Sequence, residues 1–265
     1  HENFYVLPLI KIFNLNKVHH IVRNIWNFVN IHSATRGINR FLALIETINL
    51  LKKFANKKSI QIELPELNEI ETWANKTDLL SNDSLNKYLK EKKLSSKLNN
   101  EKKVLEWSKT VNNLINNSNY LLTPIKEAVE CLDLLTEKAD IMVISNTPTK
   151  ILYNEWKNNN LDKYVSFIGG QETGSKIDML NAAIENKYDL KKVLVIGDSK
   201  SDYISAKKNK SLFFPIIPSR EKHSWKIFKN KDLSKFLLGS YTKSYEKKMI
   251  NNFNDSLTNS LDLEI

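Results

Sequence analysis

The chain has 265 residues, of which 41% are hydrophobic and 26% charged, and this composition excludes a disordered or fibrous protein. Its formal net charge is +10, but the lysines are spread along the whole chain without a basic stripe or interleaved aromatics, which argues against a nucleic-acid partner. The single cysteine, Cys131, excludes an internal disulfide, and no apolar run is long enough to span a bilayer. We therefore expect a cytoplasmic protein without a membrane partner.

The first part of the chain, residues 1–118, has helical periodicity nearly throughout, which predicts an all-helical domain. The stretch SATRGI contains Gly37 and is typical of a break or tight turn between two helices. A short extended stretch is predicted before Pro65. The predicted helices cover residues 19–32, 38–54, 64–76 and 99–115.

From residue 119 to residue 265 apolar strands alternate with helices, and the chain ends in a further helical extension. This alternation predicts an α/β fold with a parallel sheet covered on both faces by helices. The last strand contains Pro215, which favours a position near an edge of the sheet. The predicted strands are residues 140–145, 165–170, 192–198 and 212–218.

Polar side chains follow the predicted strands at their carboxyl ends, where sheets of this kind bind ligands. VISNTP supplies the hydroxyl of Ser145 and the backbone N–H groups of Asn146 and Thr147 at a helix start, which suit a phosphate oxygen. GSKIDML supplies Lys176 near another helix start, where an ammonium group neutralises a further phosphate charge.

GDSKSD, after the third strand, supplies two carboxylates, Asp198 and Asp202, whose spacing lets both face one site. Carboxylates, waters and substrate oxygens are the ligands of Mg²⁺, and we therefore predict a magnesium site here. Helix capping is the alternative. It explains one of the two aspartates but not the second together with Gly197, so metal binding is favoured.

A serine after a hydrophobic strand, then an isolated lysine, then GDxxxD after another strand resembles the haloacid dehalogenase superfamily of phosphohydrolases. Ser145 matches the second motif, Lys176 the third, and Asp198 with Asp202 the fourth. The resemblance implies a Rossmann-like sheet core with an inserted helical cap over the active site. Within the superfamily the chain resembles phosphoglycolate-phosphatase-like members.

The resemblance also implies roles and a reaction. Ser145 would bind the transferring phosphoryl group, Lys176 would offset its charge, and Asp198 would ligate Mg²⁺. Asp202 would ligate the ion too or orient its waters. The implied reaction is attack by an aspartate on a small phosphorylated metabolite, followed by hydrolysis of the aspartyl-phosphate. Phosphonatase, dehalogenase and phosphomutase activities are alternatives within the superfamily.

The family's nucleophile and general acid lie in a DxD motif after the first strand, and nothing here matches that motif. Because the sequence begins with His1 rather than Met, we expect an N-terminally truncated, inactive chain, with a non-catalytic phosphate-binding protein as the alternative. The missing strand predicts a gap between the strands that end in Ser145 and Asp198.

Two arginines of the helical domain, Arg36 and Arg40, flank the predicted turn and are candidates for contact with a substrate anion. Arginine is more often exposed or paired for structural reasons. A substrate role therefore requires that one of them faces the active site.

Overall fold

The computed structural model describes residues 2–77, 79–92, 99–117, 123–185 and 187–257. The chain divides into two compact units, whose described residues lie within His1–Asn119 and Tyr120–Asn259. None of the helices in these ranges combines the length and apolar character that a membrane span requires.

The first unit is helical, as its periodicity predicts. Short π-helical segments, Glu2–Val6 and Phe28–His32, and a 3₁₀ turn at Asn16–Val18 accompany the α-helices. The stretch predicted to be extended before Pro65 contains no β-strand in the described residues. The α-helices are α1 (Leu7–Ile12), α2 (His19–Asn27), α3 (Arg40–Lys58), α4 (Asn68–Lys76), α5 (Asn82–Glu91) and α6 (Asn99–Asn116).

The core of this unit is built on tryptophans at helical spacing. Trp26, Trp73 and Trp107 are 0–1% exposed. Trp26 and Trp107 contact each other edge to face, and Tyr5 stacks on Trp26 with ring centroids 5.8 Å apart. Large aromatic side chains bury much apolar surface, so these contacts join Tyr5, α2 and α6 in one core.

The second unit alternates strands and helices and ends in three helices. Short 3₁₀ turns lie at Asp162–Tyr164 and Leu190–Lys192, and a π-helical segment at Phe228–Asp232. Its elements are α7 (Lys126–Leu135), β1 (Met142–Ile144), α8 (Thr149–Asn158), β2 (Phe167–Gly169), α9 (Lys176–Ile184), β3 (Leu194–Gly197), α10 (Lys200–Lys208), β4 (Leu212–Pro215), α11 (Glu221–Ile227), α12 (Leu233–Leu237) and α13 (Lys243–Ser256).

The strands pair in parallel, as predicted, but they form two sheets of two strands. β1 pairs with β2, with Ile144 opposite Gly169, and β3 pairs with β4, with Gly197 opposite Pro215. Within the described residues β1 and β3 are not hydrogen-bonded to each other. Every residue of β1 and β3 is half-buried, whereas β4 is fully buried. The two strands that the sequence predicts to flank a gap therefore belong to separate ladders, and the gap itself stays a prediction.

The outer edge of β4 is closed by side chains from the C-terminal extension. The backbone N–H of Phe213 donates to Glu246 Oε1 at 2.7 Å, and its carbonyl accepts from the Tyr241 hydroxyl at 2.9 Å. These two side chains take the place of a neighbouring strand. Because an unpaired strand edge is a site of aggregation, the extension protects this side of the sheet.

Cys131 lies in the core of the second unit and is 1% exposed. Burial raises the pKa of its thiol to about 11. The thiolate is the reactive form, so the thiolate fraction at pH 8 is about a hundredfold below that of a free cysteine. We predict that Ellman's reagent modifies Cys131 in the native protein at least a hundredfold more slowly than in urea. Equal rates would contradict its burial.

Candidate functional site

An ion pair between Lys176 and Asp202 forms the centre of the candidate site. Lys176 is the first residue of α9, and Asp202 lies in the first turn of α10. The Lys176 ammonium donates to Asp202 Oδ1 at 2.6 Å, and the two side chains are only 15% and 13% exposed. Such a mostly buried, charge-assisted bond is strong, and the loss of either partner leaves a charge unpaired. Two of the residues predicted for the site therefore touch.

Asp202 also caps its own helix. Its Oδ2 accepts from the backbone N–H of Ser199 at 3.1 Å and from the Ser199 hydroxyl at 2.6 Å, which completes a capping box. Gly197 makes room for this carboxylate, because a Cβ at position 197 would lie 2.5 Å from Asp202 Oδ2. The capping alternative thus describes the contacts of Asp202. Its role as a Mg²⁺ ligand stays a prediction.

Asp198 directly follows β3 and is half-buried. Within the described residues no group of three or more His, Cys, Asp or Glu side chains forms a metal cage. Mg²⁺ needs no such cage, because one or two carboxylates, waters and substrate oxygens complete its shell. A carboxylate at the open end of a strand therefore fits Mg²⁺, with Asp198 as the residue that would hold it.

Ser145 follows β1, and its backbone is held by a bond from its N–H to the carbonyl of Gly169 at 2.9 Å. Its hydroxyl oxygen accepts from the backbone N–H of Thr147 at 3.1 Å. Within the described residues Ser145 forms no hydrogen bond to Lys176 or to Asp202. The structure thus places Ser145 directly after β1. Lys176 and Asp202 bond to each other and not to Ser145.

The start of α8 differs from the prediction. The helix begins at Thr149, so Asn146 and Thr147 precede it and do not open it. The N–H and the hydroxyl of Thr149 both donate to Glu172 Oε2 at 2.8 Å. Burial raises the pKa of the Glu172 carboxyl, but its hydrogen bonds together lower that pKa by more. The pKa of Glu172 therefore lies below its ordinary value. A carboxylate of the chain itself occupies this helix N-terminus, and the phosphate-binding role of Ser145 and Asn146 in the loop before it stays a prediction.

A close approach at Gly170 ties the loop after β2 to the start of α8. The backbone N–H of Gly170 donates to the Thr149 hydroxyl at 3.2 Å, and the N–H of Gln171 donates to the Thr147 carbonyl at 3.0 Å. This loop runs from β2 to Lys176, so it connects the Ser145 loop to the lysine. The role of Glu172 was not predictable from the sequence, since a glutamate in a loop carries no local signal of its partner.

Arg36 and Arg40 make contacts within the helical unit. Arg36 Nη1 donates to the carbonyl of Ile31 at 3.1 Å. Arg40 Nη1 donates to Asn112 Oδ1 at 2.6 Å, and its guanidinium lies 5.6 Å from the Tyr5 ring centroid. These contacts are structural, as is usual for arginine. The substrate role of either residue stays a prediction.

Parallel strands that alternate with helices, with a lysine–aspartate pair beyond the strands, define an α/β protein. The model of the haloacid dehalogenase-like hydrolase family matches residues 43–214, and the chain belongs to this family. The match extends from α3 to β4 and therefore includes Ser145, Lys176, Asp198 and Asp202. No curated protein and no solved structure matches the chain significantly.

Proposed function

We propose that the protein is a Mg²⁺-dependent phosphatase-type hydrolase that acts on a small phosphorylated metabolite, of the kind that phosphoglycolate-phosphatase-like enzymes use. The observation that carries the proposal is the mostly buried ion pair between Lys176 and Asp202, at 2.6 Å. Asp202 lies in the first turn of α10, and Asp198 lies between β3 and that helix. A lysine fixed in this way is a preorganised donor to an anionic oxygen.

The charges of the site explain why a metal ion is required. Lys176 contributes one positive charge, and Asp198 and Asp202 contribute two negative charges, so these three side chains leave a net charge of about −1. A phosphate dianion is repelled by that charge. Asp198 would hold Mg²⁺, which would reverse the sign of that charge and supply the Lewis acid for a phosphoryl oxygen.

The remaining groups orient the phosphoryl group. The Ser145 hydroxyl already accepts a hydrogen bond from Thr147, so its own proton is left to donate to a phosphate oxygen. Lys176 keeps two further N–H donors beside the one directed at Asp202. In the family the phosphoryl acceptor is an aspartate, and the aspartyl-phosphate is then hydrolysed.

A non-catalytic phosphate-binding protein is the second candidate function. It is favoured by one observation, that the 265 residues contain no Asp-x-Asp pair. Both candidates require the same phosphate site. They differ only in turnover.

Calorimetry with orthophosphate tests the shared site. We expect orthophosphate to bind in the presence of Mg²⁺, EDTA to abolish the binding, and Lys176→Met to weaken it on the order of tenfold or more, since a charge-assisted bond is lost. Lys157→Met, an exposed lysine in the last turn of α8, is the matched control and should bind as the wild type does. Binding that is indifferent to Mg²⁺ and to Lys176 would contradict the proposal.

We expect the chain as it stands to release no phosphate from p-nitrophenyl phosphate, because it contains no Asp-x-Asp pair. The assay separates the two candidates when it is repeated on a chain that carries an Asp-x-Asp strand ahead of residue 1. Mg²⁺-dependent turnover by that chain supports the phosphatase, and Mg²⁺-dependent binding without turnover supports the phosphate-binding protein. A panel of phosphorylated metabolites, measured by the same calorimetry, identifies the substrate class in either case.

A further inference from the structure

One face of α10 carries three polar residues, Asp202, Ser205 and Asn209, at positions i, i+3 and i+7. Residues at this spacing lie on the same side of a helix. All three contact the first turn of α9. Asp202 reaches the end of the Lys176 side chain, and the other two reach backbone carbonyls.

The two backbone contacts are buried. The Ser205 hydroxyl donates to the carbonyl of Lys176 at 2.9 Å, and Asn209 Nδ2 donates to the carbonyl of Ile177 at 3.1 Å. Ser205 is 3% exposed and Asn209 is 9% exposed. Carbonyls at a helix start already accept a bond from their own helix, so α10 uses their second lone pairs. These bonds are therefore not needed to satisfy α9, and their effect is to fix its position.

This fixation matters because the two sheets are separate. α9 follows β2 and α10 follows β3, and β1 and β3 share no ladder in the described residues. No strand pairing there holds Lys176 at a set distance from Asp198. A lysine side chain has a flexible four-carbon stem, and ordering it costs rotamer entropy. Bonds at both ends of the residue restrict it.

We propose that Ser205 and Asn209 are positioning residues that hold Lys176 in place from its backbone side, while Asp202 holds its ammonium group. The consequence for phosphate rests on the proposed function, in which Lys176 contacts the phosphoryl group. The fixation of Lys176 itself does not depend on it. The two parts are therefore tested by different measurements.

The first measurement is the ¹H–¹⁵N NMR signal of the Lys176 ammonium group in the full chain, assigned by its loss in Lys176→Met. In the wild type the bond to Asp202 slows proton exchange, so the signal is observed. In Ser205→Ala/Asn209→Ala we expect it to broaden and to move towards the position of an exposed lysine. The single variant Ser205→Thr keeps the hydroxyl and leaves Asn209 unchanged. We expect it to give the wild-type Lys176 signal. Asn181→Ala, an exposed asparagine on α9, is the matched control and should leave the signal unchanged.

The second measurement is Mg²⁺-dependent orthophosphate binding, which we expect to weaken on the order of tenfold in the double variant, as for the loss of one well-placed hydrogen bond. An unchanged Lys176 signal in a folded double variant overturns the proposal. If the double variant does not fold, the single Ser205→Ala variant decides by the same signal. If the wild type binds no orthophosphate, the proposed function fails, and the NMR result still decides whether Lys176 is positioned as proposed.

Discussion

Replacing Asp202 with alanine is expected to lower the free energy of unfolding by about 3 kcal/mol or more. The carboxylate accepts from Lys176 Nζ at 2.6 Å, and the change leaves a mostly buried ammonium group without its partner. It also removes the capping box with Ser199, which is worth about 1 kcal/mol. Urea denaturation of the full chain measures the loss.

The matched control for this change is Asp178→Ala. Asp178 stands three residues after Ser175, the N-cap of α9, just as Asp202 stands three residues after Ser199. Its Oδ2 accepts from the Ser175 hydroxyl at 2.6 Å, but within the described residues it makes no ion pair. We expect Asp178→Ala to cost only about 1 kcal/mol. Equal losses in the two variants would show that the ion pair adds no stability.

The regular elements were predictable because their signals are local. Helical periodicity located α2, α3, α4 and α6, and continuous apolar runs located all four strands to within a few residues. The helix α5 was not predicted, because it is short and mostly polar with one buried residue, Leu85, although Leu85, Tyr88 and Leu89 lie at helical spacing. The capping box of Ser81 and Ser84 was the signal that could have revealed it.

The candidate site was predictable only in part. The order of Ser145, Lys176 and GDSKSD along the chain indicated the family and two residues, Lys176 and Asp202, that the structure brings together. The partners of these residues were not predictable, because Glu172 with Thr149 and Ser205 with Lys176 are 23 and 29 positions apart. Such bonds depend on how the helices pack. Asp202 was assigned to the metal from its spacing. Its hydrogen bonds to Lys176 and Ser199 were not predictable from that spacing.

The separation of the described strands into two ladders gives these tertiary bonds their importance. In a continuous parallel sheet the strand ladder fixes the distances between the loops at its carboxyl edge. Here side-chain bonds add to the two short ladders. One set, from the loop after β2 to the start of α8, lies within the β1–β2 pair, and the other, from α10 to α9, connects the two ladders. Changes at either set should disturb the site more than their local chemistry suggests.

Gly170→Ala tests the first of these sets and is expected to lower the free energy of unfolding by about 3 kcal/mol. A Cβ at position 170 would lie 2.5 Å from the carbonyl oxygen of Thr147 and 2.6 Å from the Cα of Thr149. Both are backbone atoms at the start of α8 and cannot rotate away. The loop must separate from the helix, which breaks the bond from the Gly170 N–H to the Thr149 hydroxyl.

The neighbouring change, Gly169→Ala, is the matched control. Its Cβ would lie 2.6 Å from Met179 Sδ and 2.6 Å from Phe167 Cε1, so the approach is as close, but both atoms are in side chains. Phe167 is 40% exposed and has room to turn outwards. We expect a loss of about 1 kcal/mol for this variant. Urea denaturation compares the two, and Mg²⁺-dependent orthophosphate binding should fall only in Gly170→Ala, because that change alone displaces the loop between Ser145 and Lys176. Equal effects on stability and binding would mean that the backbone contact at Gly170 does not hold the site together.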